Sequence, residues 1–269
     1  MIVPMTLGPT LFVEYDFMDQ NRNWSGTSSA PSSANDDKDI RTHFVTVGGQ
    51  YRFDGDWAVT VEAPVWDRSF TTDSGAGLDT FHHTALGDVR LTGVYSGFSD
   101  DMSTSAIFGV KLPTGDFTYS GFDRDTEIGS GSTDLLLGFA HAGAITSDGA
   151  WTWYGQAIWD KPLLSQGGYT PGSDVNAAFG VAYNDLLSRG GLRITPFLQA
   201  IGSGRVKDSG VNANPPNSGY SRVLLSPGIE FATDKWKIYG DVEIPVYQDV
   251  NGNQLVARQL FKFAVSYSL

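Results

Sequence analysis

The chain has 269 residues, a formal net charge of −12, 32 glycines, 13% aromatic residues and no cysteine. The acidic balance excludes the basic surface that nucleic-acid binding requires, and the missing cysteines exclude disulfides and thiolate metal sites. No run of about 18 apolar residues occurs, so a transmembrane helix is excluded as well.

The opening "MIVPMTLGPT" is too short for a secretory signal and has no basic n-region; an exported form implies a signal already removed. From about residue 10 onward, apolar residues recur at every second position and helical periodicity is almost absent. In "WAVTVEAPV", Trp57, Val59, Val61 and Val65 share one face, opposite Thr60 and Glu62. "GLRITPFLQA" sets Leu192, Ile194 and Leu198 against Arg193, Thr195 and Gln199. "SRVLLSPGIEF" sets Val223, Leu225, Ile229 and Phe231 against Arg222, Ser226 and Glu230. In "KWKIYGDVEIPVY", Trp236, Ile238, Val242, Ile244 and Val246 oppose Lys237, Tyr239, Asp241 and Glu243. The last strand, "LFKFAVSYSL", puts Phe261, Phe263, Val265, Tyr267 and Leu269 on one side. There are about twelve such segments of roughly ten residues, the length a tilted strand needs to cross a bilayer.

Connections alternate in length. Short turns fall at "FDGDW", "FSDDMS", "TSDGAW", "LLSRGG" and "ATDKW"; long Gly/Ser/Asn/Asp-rich stretches cover 20–38, 69–84, 115–131, 161–173, 203–219 and 248–255. Short turns at one end and long loops at the other predict an all-β, antiparallel transmembrane β-barrel of about twelve strands, one domain over residues 1–269, with periplasmic turns and extracellular loops. Trp57, Trp151 and Trp236 each directly follow a short turn, and with Tyr267 they are predicted to form an aromatic girdle at the membrane interface. A soluble sandwich or lipocalin-like barrel also alternates, but with its apolar face inward. The loop asymmetry, the girdle and the last strand favour the bacterial outer membrane, with the lipid bilayer as partner.

The polar faces carry Glu14, Asp16, Glu62, Asp88, Asp134, Asp160, Glu230, Asp241 and Glu243, and the bases Arg52, Arg90, Lys111, Arg193, Arg222, Lys237 and Lys262. Inside a barrel such charges set selectivity. Glu62, Asp88, Arg90, Lys111, Arg193, Arg222, Asp241 and Glu243 are the predicted pore lining. "VEAPV", "VKLPT" and "VEIPV" place an inward charge two residues before Pro64, Pro113 and Pro245. Proline cannot donate to a ladder, so a bulge or broken pairing is predicted at each.

Chemistry-bearing motifs are few. His82 and His83 are adjacent and point opposite ways on an extended chain. His141 is followed by Ala-Gly with no nearby serine, and no G-x-S-x-G elbow occurs, so a lipase or esterase is the weakest reading. Asp116, Asp123, Asp125, Glu127 and Asp134 offer oxygen ligands of the kind Ca²⁺ takes, without EF-hand spacing; a solvated acidic loop is the plainer reading. No cofactor and no enzymatic activity are expected.

Two resemblances add to this. The terminal strand resembles the C-terminal signal by which Gram-negative outer-membrane proteins are recognised by the barrel assembly machinery, with Leu269 where Phe or Trp is usual. Gly87, Asp88 and Leu91, the run Lys111 to Gly115, and the segment Gly129 to Asp134 stand in an order similar to outer-membrane transporters of the meta-pathway of phenol degradation family. That resemblance implies a porin-like barrel admitting small, including aromatic, molecules. The expected function is therefore passive diffusion of small solutes through a narrow lumen. The competing reading is a closed barrel that serves as a scaffold or docking surface through its extracellular loops.

Overall fold

Side chains alternate across a strand, so one hydrophobic period of two can make a sheet with an apolar and a polar face. The computed structural model describes residues 7–53 and 56–269; Asp54 and Gly55 of the "FDGDW" turn and the first six residues of the opening segment lie outside them. In chain order the strands are β1 (Gly8–Gly26), β2 (Ser28–Ser29), β3 (Asp37–Arg52), β4 (Trp57–Asp73), β5 (Leu78–Leu86), β6 (Arg90–Tyr95) and β7 (Thr104–Lys111). They continue with β8 (Ser132–Ala144), β9 (Trp151–Ser165), β10 (Asp174–Tyr183), β11 (Leu187–Arg189), β12 (Leu192–Arg205), β13 (Tyr220–Ala232) and β14 (Trp236–Ser268).

Pairing is antiparallel throughout, in the order β10-β9-β8-β7-β6-β4-β3-β1-β14-β13-β12, and β10 pairs with β12 to close the ring. The 33-residue β14 is folded back on itself. Its first part pairs with β13 from Lys237 to Val250, its second with β1 up to Ser268, and Ser268 N donates to Lys235 O at 2.8 Å. Gly252, at φ +61°, sits at that reversal. β5 and β6 both pair with β4 and are two halves of one crossing. The chain thus crosses twelve times. Among the described residues no helix is long and apolar enough to cross a membrane.

The faces are inverted relative to a soluble barrel. Val61, Val65, Ile238, Phe261 and Phe263 are exposed on the outside, whereas Thr60, Thr195, Gln199 and Ser226 are buried inside. Register also fixes tilt. Partners can be followed from Thr10 through Gln50, Thr60, Thr92, Gly109, Leu136, Asp160, Asp174, Arg205 and Tyr220 to Val250, which pairs with Gly26. The row has climbed most of β1 in one circuit, which for twelve strands corresponds to a tilt of about 40–45°. Trp57 lies three residues below this row on the second strand step, Trp151 nine below on the sixth, and Trp236 fourteen below on the tenth. The drop grows in proportion to the climb, so the three rings are level about the barrel axis. Tyr267 packs against Trp236 in a tilted pair with centroids 4.7 Å apart, and Tyr95 against Trp57 at the same distance.

Three loop expectations are corrected. Much of 20–38 and 69–84 and all of 248–255 is strand, because β1, β3, β4, β5 and β14 run on beyond the alternating segments. Where both faces meet water, backbone pairing continues without the hydropathy signal that reveals it. The predicted breaks at proline are found, with one qualification. At Pro245 the register with β13 shifts between Val223 and Leu224, and Pro113 lies beyond the last pair of β7. At Pro64 the ladder to β3 is intact through Thr46 and β4 continues to Asp73, but its other partner changes there from β6 to β5.

Candidate functional site

The β7–β8 connection, predicted as a solvated extracellular loop, folds into the barrel instead. Its apolar residues explain why: Phe122 and Ile128 pack with Phe70 of β4 in a buried cluster flanked by Trp66, Phe81 and Tyr119. Polar anchors fix the backbone. Arg68 on the inner face of β4 donates from Nη1 to the carbonyls of Thr126 and Glu127 and from Nε to Thr42 Oγ1 at 2.9 Å. Asp88, in the unpaired stretch between β5 and β6, accepts from Gly115 N at 3.0 Å, from Ser130 N at 2.8 Å and from Ser130 Oγ. The two arms of the segment touch at Gly115 and Gly129, where a Cβ on Gly129 would sit 2.3 Å from the Gly115 carbonyl oxygen. Only glycine allows that approach. At the outer shoulder His83 stacks on Tyr119, centroids 4.1 Å apart, and contacts Asp116 Oδ2 at 3.0 Å.

Two further connections cover the extracellular side. Tyr169 OH donates to Asp208 Oδ2 at 2.7 Å and Arg205 Nη2 contacts Asp208 Oδ1 at 2.6 Å. Arg124 of the inward segment lies over the rings of Tyr169, at 4.4 Å, and Phe117, at 5.2 Å. A charge-assisted and cation–π cluster therefore ties three connections together.

Beneath them lies a cavity of about 630 Å³ inside the barrel. One wall holds Lys111 against Asp134, with Asp160 Oδ2 at 3.6 Å and Arg90 Nη2 at 3.9 Å from the same Asp160 oxygen. Nearly half-way round the ring, Lys262 Nζ sits 2.9 Å from Glu14 Oε1 and 2.7 Å from Asp16 Oδ1. Trp66, Phe44, Pro64 and Ile128 supply the apolar lining. Burial pushes the Glu127 carboxyl up to about 7, with Asp116 adding to the effect and Arg124 and Arg68 opposing it. Asp116 is held low, first by the backbone N–H of Thr118.

Of the residues named from sequence, Glu62, Arg90, Lys111 and Arg222 line this cavity, and Asp88 lines it while anchoring the inward segment. Arg193 lies on the same inner face near the periplasmic end, where β12 pairs with β11 and β13. Glu243 faces the charges of Lys262 and Arg222. Asp241 is buried away from the cavity. Its Oδ2 accepts from Gln199 Nε2 at 3.1 Å and from Ser226 Oγ, and Gln199 also bonds Tyr154 OH and Tyr239 OH. Trp57, Trp151 and Trp236 are exposed on the outer surface. The five acids grouped as an oxygen-ligand loop are spread apart: Asp116 is beside His83, Glu127 in the cavity, and Asp134 on β8 with Lys111. Among the described residues no three His, Asp or Glu side chains are arranged to hold a metal ion. His141 bonds Thr104 Oγ1 at 2.7 Å.

Arg68, Arg124 and Arg205 were missed by the sequence reading because they lie in or beside stretches assigned to loops. Asp134, Asp160, Glu14, Asp16 and Lys262 were visible on the polar face; their pairing was not, because register is set by partners far away in sequence.

No family model matches the chain, and no curated protein matches it. The fold is similar to that of solved outer-membrane barrels. An outer membrane channel from Pseudomonas putida F1 superposes with a TM-score of 0.68 at 13% identity, over 98% of this chain and 96% of that one. The beta domain of the Bordetella autotransporter BrkA gives 0.58 at 11% identity, over 98% and 100%. The NanC porin gives 0.51 at 11% identity, over 96% and 100%. The class is thereby defined as a twelve-crossing outer-membrane-type β-barrel. One fold carries channels, porins and an autotransporter domain, so function must be argued from the lumen.

Proposed function

We propose that the protein is an outer-membrane channel through which small solutes diffuse passively, with the inward-folded 112–131 segment as its constriction. The observation that carries this reading is the charged cavity of about 630 Å³ enclosed by the barrel wall and that segment. A barrel meant only as a scaffold gains nothing from unmatched charges, which stay hydrated at low cost only in a wet lumen. The level ring of Trp57, Trp151 and Trp236 is the periplasmic interface girdle, the apolar band above it meets lipid, and the last strand serves barrel assembly. Small aromatic molecules are the solute class that the family resemblance suggests, and Trp66 and Phe44 give the lumen an apolar strip for them.

The second reading, a closed barrel displaying its extracellular connections, draws support from the packed cluster around Asp241. Conductance in planar bilayers separates the two. Discrete current steps from folded protein support the channel; folded protein that passes no current rejects it.

A further inference from the structure

We propose that the lumen selects cations, and that two lysines, each shared by two carboxylates on nearly opposite walls, are the selectivity element. This rests on the channel reading and specifies which solutes that channel prefers.

The stoichiometry is the starting point. A one-to-one ion pair is neutral and casts a short-range field, whereas a lysine between two carboxylates leaves one negative charge on the wall. Glu14, Lys262 and Asp16 form one such group, on β1 and the last crossing; in the other, Asp134, Asp160 and Asp174, which is paired with Asp160 across β9 and β10, gather beside Lys111 and Arg90, again with one carboxylate in excess. Following the ring, the two groups are four to six crossings apart out of twelve, so they face one another across the lumen. Both line the same cavity. Among the described residues, nine carboxylates and seven cationic side chains line it, so the neighbours do not cancel the excess.

The second observation concerns unspent acceptors. Asp134 is 1% exposed and Asp160 6%, yet Asp134 Oδ1 and Asp160 Oδ1 have no hydrogen-bond partner. Buried carboxylate oxygens left open are costly unless water or a cation meets them. Several of the cations that line the cavity are meanwhile committed elsewhere. Arg68 is spent on backbone carbonyls, Arg205 on Asp208, and Arg124 on the Ser130 carbonyl and two aromatic faces. Excess carboxylates on the wall opposite committed cations favour a small cation in transit over an anion of the same size. Inorganic monovalent cations and protonated amines are the classes that fit.

The test is the reversal potential of single channels in a tenfold KCl gradient, using the full chain refolded into lipid. Wild type is expected to prefer K⁺ over Cl⁻ by about fivefold, because fixed charges of one sign on a narrow wall set its selectivity. The Asp134→Asn/Asp160→Asn double variant should fall to a ratio near one, because Lys111 and Arg90 then lose both carboxylates they share. Lys111→Gln should raise the ratio, since it leaves the carboxylates uncompensated. Opposite shifts from neighbouring, near-isosteric changes cannot both come from a folding defect, and heat-modifiable gel mobility verifies folding of each. A wild-type ratio at or below one, or a ratio unmoved in both variants, overturns the selectivity element while current persists. Folded protein without any current overturns the channel reading itself, and this proposal with it.

Discussion

Two parts of the interior use polar residues in opposite ways. Around Asp241, one carboxylate sits among neutral groups: Gln199, Ser226, Tyr239 and Tyr154 are joined to it and to one another by direct hydrogen bonds, with only Asp241 Oδ1 left unpartnered. Around Lys111 and Lys262, carboxylates outnumber the bases they meet by one, and the space before them stays open. Amide and hydroxyl groups saturate with a few partners and can leave water. A cluster in which several charges remain in excess cannot, so it keeps a hydrated lumen beside it. The same alternating strand pattern therefore builds a filler on one arc of the wall and a passage on the other.

The sharpest way to break this comparison is to free the inward segment. Asp88→Ala removes all three acceptor bonds to Gly115 and Ser130. Single-channel conductance is expected to rise at least about twofold, since charge-assisted bonds contribute roughly 1.5–3 kcal/mol each before solvent compensation. Trypsin should then cut at Arg124 in sealed vesicles where wild type resists. On the filler arc the outcome reverses. Asp241→Asn and Tyr239→Phe each remove or weaken bonds in a closed cluster, so unfolding in urea should shift by about 1–2 kcal/mol with conductance unchanged.

Sequence displayed the barrel and its faces because period two, turn residues and the tryptophans after short turns are all local signals. It also displayed the charges at Glu62, Lys111 and Glu243, each two residues before a proline at which a ladder changes partner, ends or shifts. The inward segment was hidden for a physical reason. Its many glycines and acids read as solvated loop, and the apolar minority that drives it inward, Phe117, Tyr119, Phe122 and Ile128, has no regular period. Those four side chains in an otherwise polar stretch were the available signal. The shared lysines were hidden differently: Glu14 and Lys262 are 248 residues apart and meet only through closure of the ring.

A smaller effect sharpens the comparison from the side of pH. Glu127, whose carboxyl burial has pushed up to about 7, belongs to the inward segment. Raised above its unfolded value, it favours the docked segment fully at acidic pH, below about 4.5, and this contribution is lost as pH rises through 7. The charged groups facing it are Arg68 from β4 and Asp116 and Arg124 from its own segment, with the His83 ring on β5 contacting Asp116. Trypsin cleavage at Arg124 should therefore quicken modestly between pH 6 and pH 8. Glu127→Gln should flatten that dependence, whereas Asp241→Asn should leave it in place. A flat profile in wild type would show that the segment's docking does not depend on this carboxyl.

The smallest predicted effect lies at the girdle, outside both arcs. Trp236 and Tyr267 form a tilted ring pair with centroids 4.7 Å apart at the start of one crossing and the end of the next. Trp236→Ala removes that aromatic pair, worth about 0.5–1.5 kcal/mol beyond its area, together with an interfacial anchor. Neither contact reaches the lumen, so unfolding should occur at slightly lower urea while ion selectivity and pH response stay at wild-type values. A change in selectivity would mean that wall position, and not the stoichiometry of lumen charges, controls the passage. Trp236→Phe, which keeps a ring at the interface, should recover most of the lost stability and so distinguish ring packing from a general disturbance of the last hairpin.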